Sequence, residues 1–281
     1  MTPATALAGL RRQVRRDPVA AACVGLVVIA ALIAMTAPLL APDDPNFVDL
    51  SAISQGPSAH HLLGTDASGR DLLSRLMFGA RTSLLGPLFV VAIAGTAGTS
   101  IALGAAWVGG PVDAVVASAL DVIFGFPGLL LAVGAVAVFG SGLTAPVLAL
   151  GIAYTPYIAR VVRGVALRER RLPYVAALQI AGCSGFRVVL RHILPNLGAI
   201  VVSQATLAFA YATIDLAAIS FLGLGVQPPT SDWGLMIAQG QPAVLAGHPA
   251  EAIYPGIALI AVVVSVTLIG RRVGSRREVP A

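Results

Sequence analysis

The sequence contains no lysine at all; its 18 basic residues are arginines. Charge of either sign is scarce, at 11% of residues against about a quarter in soluble domains. Without lysine a Walker A loop cannot be written, so the chain has no nucleotide-hydrolysing site of that kind. Neither a nucleophile elbow nor an HExxH helix occurs. There are two cysteines, Cys23 and Cys183, far apart and without CxxC spacing. That excludes a disulfide framework and a cysteine zinc site. Histidine is sparse, with His60 and His61 adjacent, His192 alone before an apolar run, and His248 distant. His192 has no second histidine at helical spacing and is expected to pack or cap; no metal site is expected.

What is present is apolar. The 281 residues are 57% hydrophobic with a mean hydropathy of +0.87. No soluble fold of this size can hide that much apolar surface, whereas lipid needs none of it hidden. The fold class is all-α, polytopic and membrane-embedded. A spanning helix takes about 20 apolar residues, and six stretches qualify. The first is residues 19–41, too long for the core of a cleavable signal. A second lies within Thr82–Val112. The 38 uncharged residues of Val122–Ala159 are too many for one span, and Gly140, Ser141, Gly142 and Pro146 divide them into Val122–Phe139 and Leu143–Val162. The fifth is Ile193–Ile219 and the sixth Ala252–Gly270. Residues 82–270 thus hold five helices, and no internal repeat is evident.

Arginine placement gives the orientation. Arg11, Arg12, Arg15 and Arg16 precede the first span, within a tail of residues 1–18. Arg271, Arg272, Arg276 and Arg277 follow the last, in a tail of residues 271–281. The loop between spans four and five carries Arg160, Arg163, Arg168, Arg170, Arg171, Arg187 and Arg191. With fifteen of the 18 arginines on one side, that side and both termini are expected to be cytoplasmic, in an inner (plasma) membrane. The same clustering accounts for the pI near 9.9 without nucleic acid. Residues 42–81 and 223–251 form the outer segments, rich in proline and glycine. Within the first, Asp66–Arg81 alternates apolar Leu72, Leu73, Leu76 and Met77 with polar Arg70, Asp71, Ser74 and Arg75, the pattern of an amphipathic helix at the interface.

The cytoplasmic segment 164–192 is the longest on its side. Pro173 suits a first helical turn, Val175–Ala181 are good helix formers, and Gly182 and Gly185 suit an end and a turn. A helix over Tyr174–Ala181 follows. So short a helix is unstable alone, so its apolar side packs beneath the bundle, lies on headgroups, or docks a soluble partner.

This segment resembles the conserved cytoplasmic loop of binding-protein-dependent ABC permeases. Gly182 stands at the family glycine, Ile193-Leu194-Pro195-Asn196 at the Ile-Leu-Pro ending, and Ala176, Ala177 and Leu178 where the family has Glu-Ala-Ala. The loop glutamate is therefore replaced by Ala176. Leu63-Gly64-Thr65-Asp66, Gly69-Arg70-Asp71, Ser74-Arg75, Gly79–Leu84, Phe126-Pro127, Ala159–Gly164, Ser220–Pro229 and Trp233-Gly234 resemble, in order, motifs of the dipeptide/oligopeptide and nickel branch, its C-type dipeptide subunit above all. The family commonly has arginines where Ala114 and Ser118 stand, and a glutamate where Leu216 stands, one residue after Asp215.

The resemblance implies a type I ABC importer permease fold with six transmembrane helices, translocating di- or oligopeptides by alternating access. Nickel or another small solute is the alternative cargo, and an ATP-independent channel the alternative class. Implied partners are a second homologous permease, two ATPase subunits that bind ATP and Mg, and an extracytoplasmic substrate-binding protein; this chain needs no cofactor. Tyr174, Ala176, Ala177, Leu178, Gly182, Cys183, Ser184 and Gly185 are the expected ATPase-coupling surface, supported by Arg163, His192, Pro195 and Asn196. Asp215 and Gln204 are candidates for the path or outer gate, Asp215 alternatively serving as a structural hydrogen-bonding group. Asp66, Arg70, Asp71 and Arg75 are either a binding-protein dock or an interfacial ion-pair cluster.

Overall fold

The computed structural model describes residues 17–274. The arginine tails before and after, with the expectations placed on residues 1–16 and 275–281, lie outside the described residues. Ten α-helices occur among the described residues, with a single isolated bridge, Thr65 to Asp71, and no strand.

Helix α1, Pro18–Leu40, starts at an Asp17 cap whose carboxylate accepts from the Val19 and Ala20 amides at 3.1 Å. It is apolar all round and exposes Ile29, Leu32 and Met35 on one side, as expected of a helix facing lipid. Its other side buries Ala34 and Ala37 against the bundle, Ala34 beside Val262 and Val266. Helix α2, Leu72–Val108, has 37 residues. At 1.5 Å per residue it is about 55 Å long, well beyond a hydrocarbon core of about 30 Å. It packs against α5, Thr144–Arg170, over most of its length. The approach is close because Gly98 on α2 faces the Thr155 carbonyl, where an added Cβ would lie 2.8 Å away. Helix α8, Leu194–Phe221, completes the central layer. Ala102, Ile158, Ala159, Val162, Leu197 and Ala208 form its core. Helix α10, Ala250–Gly274, lies beside α8 and α1, and Arg272 pairs with Asp17 at 2.9 Å. That pair brings the two termini of the bundle to the same end as the arginine-rich loop.

Five of these helices are long and apolar enough to span, and the pair α3, Gly110–Phe124, with α4, Gly128–Phe139, reaches that length only together across a sharp bend, as a broken sixth span or a re-entrant turn. This differs from the expected single span over Val122–Phe139. Pro127 disfavours helical backbone at the residue before it, so the chain bends by 75° at Gly125-Phe126-Pro127. Upstream, Gly109 and Gly110 take positive φ (71° and 57°) in a tight corner after α2, which starts the helix at Gly110 instead.

The outer segments also differ from expectation. The amphipathic pattern of Asp66–Arg81 is no separate interfacial helix: Asp66–Asp71 is a turn, and from Leu72 the pattern continues unbroken as the first turns of α2. Its polar face points inward because residues 42–69 fold back over it; the Asp43 amide donates to Ser74 Oγ at 3.0 Å. In residues 223–251 the prolines do not prevent a helix α9, Trp233–Leu245. Gly234 packs directly on the Ala217 carbonyl of α8, where no side chain fits.

Candidate functional site

At the arginine-rich end, α5 runs into a short helix α6, Pro173–Ile180, then α7, Gly185–Val188, and a π-helical turn, Val189–Ile193, that leads into α8. Pro173 opens α6 at a position where a missing N–H leaves nothing unsatisfied. Gly182, at φ 80°, ends it: the Cys183 amide reaches back to the Leu178 carbonyl at 3.0 Å and Gly182 to Gln179 at 3.0 Å. Two valines anchor the segment. Val175 of α6 and Val188 of α7 are buried in the central core, with Tyr174, Leu178 and Cys183 packed partly against it.

Gly185 is the tightest point. An added Cβ there would lie 2.5 Å from Trp107 Nε1 and 2.6 Å from Cε2 and Cζ2. The indole at the end of α2 is itself held under the Arg170 guanidinium, 5.7 Å from the ring centroid, and Arg170 Nη1 donates to the Ala106 carbonyl at 2.8 Å. The segment therefore rests in a socket made by the ends of α2 and α5. A second tie involves a residue that the sequence reading missed. Glu169 Oε1 accepts from the Tyr174 hydroxyl at 2.8 Å and from Asn196 Nδ2 at 2.7 Å, joining α5, α6 and α8. Burial, and then the neighbouring Glu169 carboxylate, raise the Tyr174 pKa, so the phenol stays a donor. The signal for Glu169 was a lone acid inside an Arg-Glu-Arg-Arg run.

The remaining surface of the segment is open. Ile180 is 88% exposed and Phe186 76% exposed; Ala176, Ala177, Gly182 and Ser184 are exposed beside them, with Arg171 and Arg187 at the edges. Of the expected loop supports, Asn196 makes the contact described. Pro195 lies exposed in the first turn of α8, and His192 half-buried in the π-turn. Arg163 is elsewhere: its Nη2 donates to Asp113 Oδ2 of α3 at 2.7 Å, tying α5 to α3 instead of bracing the loop.

At the opposite end, Asp66 gathers the outer segment. Its Oδ1 accepts the Ser68 and Arg70 amides at 2.8 and 2.9 Å, and Oδ2 faces Arg70 Nε at 2.7 Å and Arg75 Nε at 3.4 Å. Arg75 is 1% exposed and donates to Gln239 Oε1 of α9 at 3.1 Å and to the Pro45 carbonyl. Asp71 caps α2 through the Ser74 amide at 2.7 Å and lies 3.1 Å from His61 Nδ1. Asp66, Asp71 and Arg75 are thus buried and Arg70 nearly so. Of the two expectations, the ion-pair cluster describes them; as a docking face they fail, because other residues cover them. Nearby, Asp232 starts α9 by accepting the Leu235 amide at 3.2 Å and the Ser83 hydroxyl at 2.7 Å, and burial raises its pKa.

Within the bundle, Asp215 of α8 receives the Tyr154 hydroxyl of α5 at 2.9 Å. Gln204 lies on the same α8 face, eleven residues away.

Comparison with known proteins agrees with this arrangement. Residues 94–278 match the family described as binding-protein-dependent transport system inner membrane component, and residues 6–57 match the N-terminal TM domain of oligopeptide transport permease C. The chain is 36% identical over 261 residues to the glutathione transport system permease protein GsiD of Pectobacterium atrosepticum, covering 92% of this chain and 86% of that one. It is 35% identical to GsiD of Escherichia coli O6:K15:H31, over 92% of this chain and 86% of that one. A Brucella suis chain provisionally named a peptide transport system permease protein is 38% identical, over 87% of this chain and 82% of that one. The membrane bundle, the outward-held short helix and the matched lengths lead to one conclusion: this chain belongs to the binding-protein-dependent inner-membrane permeases, in the oligopeptide branch of ABC importers, with the type I fold.

Proposed function

We propose that the chain is one permease subunit of an ATP-driven importer of di- or oligopeptides, and that α6 and α7 are where force enters it. The observation that carries this reading is the exposed apolar surface of Ile180, Phe186, Ala176 and Ala177 on a segment otherwise locked into its socket. An apolar patch rimmed by arginines and held rigidly beneath a membrane bundle suits a groove on a soluble partner. In the family that partner is an ATPase, which would hold the ATP and Mg that this chain has no loop to bind. The arginine-rich end is then cytoplasmic, in the inner membrane, and the Asp66 cap faces outward, toward a binding protein. A second homologous permease completes the path. Closing of the ATPases on ATP draws the two short helices together, rocks the bundles and opens the path outward; hydrolysis resets them. The relatives named for glutathione and peptide transport favour peptide over nickel as cargo.

Dipeptide uptake by cells carrying the complete transporter tests the reading, with Ile180→Asp/Phe186→Asp as the probe. The double variant is expected to reach the membrane at the normal level but to lose ATPase co-purification and uptake together. Full uptake with both charges in place contradicts the coupling role, and a wild type that imports nickel but no peptide contradicts the cargo.

A further inference from the structure

Asp215 has an environment that its hydrogen bond to Tyr154 does not explain. It is half-buried within the spanning part of α8, about 9 Å in from the helix end at Phe221 at 1.5 Å per residue. Carboxylates at such depths are costly and face a cavity or a partner. The Tyr154 hydroxyl occupies one of the roughly four acceptor positions of a carboxylate. Among the described residues no ion pair engages it; the nearest arginine on α5, Arg160, is committed to Asp121 and to the Phe124 ring.

Three tyrosines continue from that carboxylate. Tyr154 meets Tyr157 edge-to-face at 6.3 Å, and Tyr157 meets Tyr211 of α8 edge-to-face at 6.2 Å. Tyr211 is 49% exposed. Gln204, Tyr211 and Asp215 stand at i, i+7 and i+11, one face of α8. The result is one carboxylate beside three tyrosine rings in edge-to-face contact, the last of them half-exposed on α8. Ring faces are negative and attract cations. A hard metal ion wants about six oxygen ligands, and one carboxylate among phenols does not supply them. An organic ammonium needs only one counter-charge and aromatic walls.

We propose that Asp215, with Tyr157 and Tyr211, is a half-site that receives the ammonium group of a peptide as it enters the path. This deepens the peptide-importer reading and rests on it. Asp215 holds the ammonium first; the two tyrosine rings then let it advance without meeting bare hydrocarbon.

The test is uptake of a free-amine dipeptide per assembled complex, in proteoliposomes containing the complete transporter with saturating loaded binding protein. Wild-type uptake checks the underlying reading by itself; if no peptide enters, that reading fails before the half-site is addressed. Given wild-type uptake, Asp215→Asn is expected to lower the rate about tenfold and Tyr211→Leu about threefold, the range of a single lost cation contact. Asp215→Glu, which keeps the charge, is expected to recover at least half. Tyr154→Phe removes the hydrogen bond but keeps the ring, and is expected to stay within about twofold of wild type. If Asp215 is only structural, Tyr154→Phe falls as far as Asp215→Asn and the glutamate does not rescue. That pattern overturns the proposal, as does wild-type uptake by Asp215→Asn. Should Asp215→Asn fail to assemble, Tyr211→Leu and Tyr154→Phe decide: the former slow and the latter normal supports the half-site, and any other result refutes it.

Discussion

Gly185→Ala is the smallest change that should disable the transporter while leaving its bundle intact. The new methyl would lie 2.5–2.6 Å from three atoms of the Trp107 indole, about 1 Å inside ordinary van der Waals contact. The indole has little room to retreat, since Arg170 covers one face of it and is itself hydrogen-bonded to Ala106. Backing the short segment out of its socket is the easier response. Overpacking of this kind costs about 1–3 kcal/mol, a shift of roughly 5- to 150-fold in the ratio of seated to displaced segments. Val175 and Val188 still anchor the two flanks, so the helix is displaced and not unfolded. The assay is peptide uptake alongside ATP hydrolysis stimulated by loaded binding protein. Uptake is expected to fall at least fivefold, and the ratio of peptide moved to ATP spent to fall with it. Trp107→Leu in the same chain vacates the space and should restore most of the loss. If Gly185→Ala transports normally, or if Trp107→Leu fails to help it, the socket does not position the segment and the reasoning is wrong.

Other outcomes follow from the same geometry. Arg75→Met strands the buried Asp66 carboxylate with Arg70 alone, and is expected to cost about 3–5 kcal/mol, seen as a lower unfolding temperature of the detergent-solubilised protein. Tyr174→Phe and Glu169→Ala should each cost about 1 kcal/mol, with a coupling energy of similar size in a double-mutant cycle of thermal stability, since they share one hydrogen bond. Asp232 has a raised pKa in the folded protein, so folding favours its protonated form. Its contribution is therefore greatest below the ordinary aspartate pKa of about 3.9 and is lost as pH rises through the higher folded value. Asp232→Asn should flatten that part of the stability–pH curve, and an unchanged curve would show that the carboxylate is not the group titrating.

Much of this architecture was legible because lipid imposes simple rules. Apolar length located five long helices, arginine grouping joined Arg272 to the side where Asp17 lies, and Pro173 with Gly182 bracketed the short helix to within a residue. What was not legible depended on contacts remote in sequence. The Asp66–Arg81 stretch has the pattern of an interfacial helix, but only the fold-back of residues 42–69 reveals that its polar face is covered. Val122–Phe139 looked like a self-contained span because hydropathy is blind to the bend at Pro127. Glu169 drew no notice among three arginine neighbours, since its partners Tyr174 and Asn196 come together only once α5, α6 and α8 have packed. Arg163 was assigned to the loop by proximity in sequence and belongs, in space, to Asp113.

The unbroken length of α2 has a mechanical implication. One end carries the Trp107 seat, the other the Asp71 and Arg75 clasp, and the 37-residue helix that holds them carries Pro87 in its interior but no break of the kind that divides α3 from α4. Turned as one body by about 10° about its midpoint, it swings both tips some 5 Å, in opposite directions, for a length of about 55 Å. Whatever pushes on the arginine-rich side is thereby felt at the far cap at once, with no relay of side chains required in between.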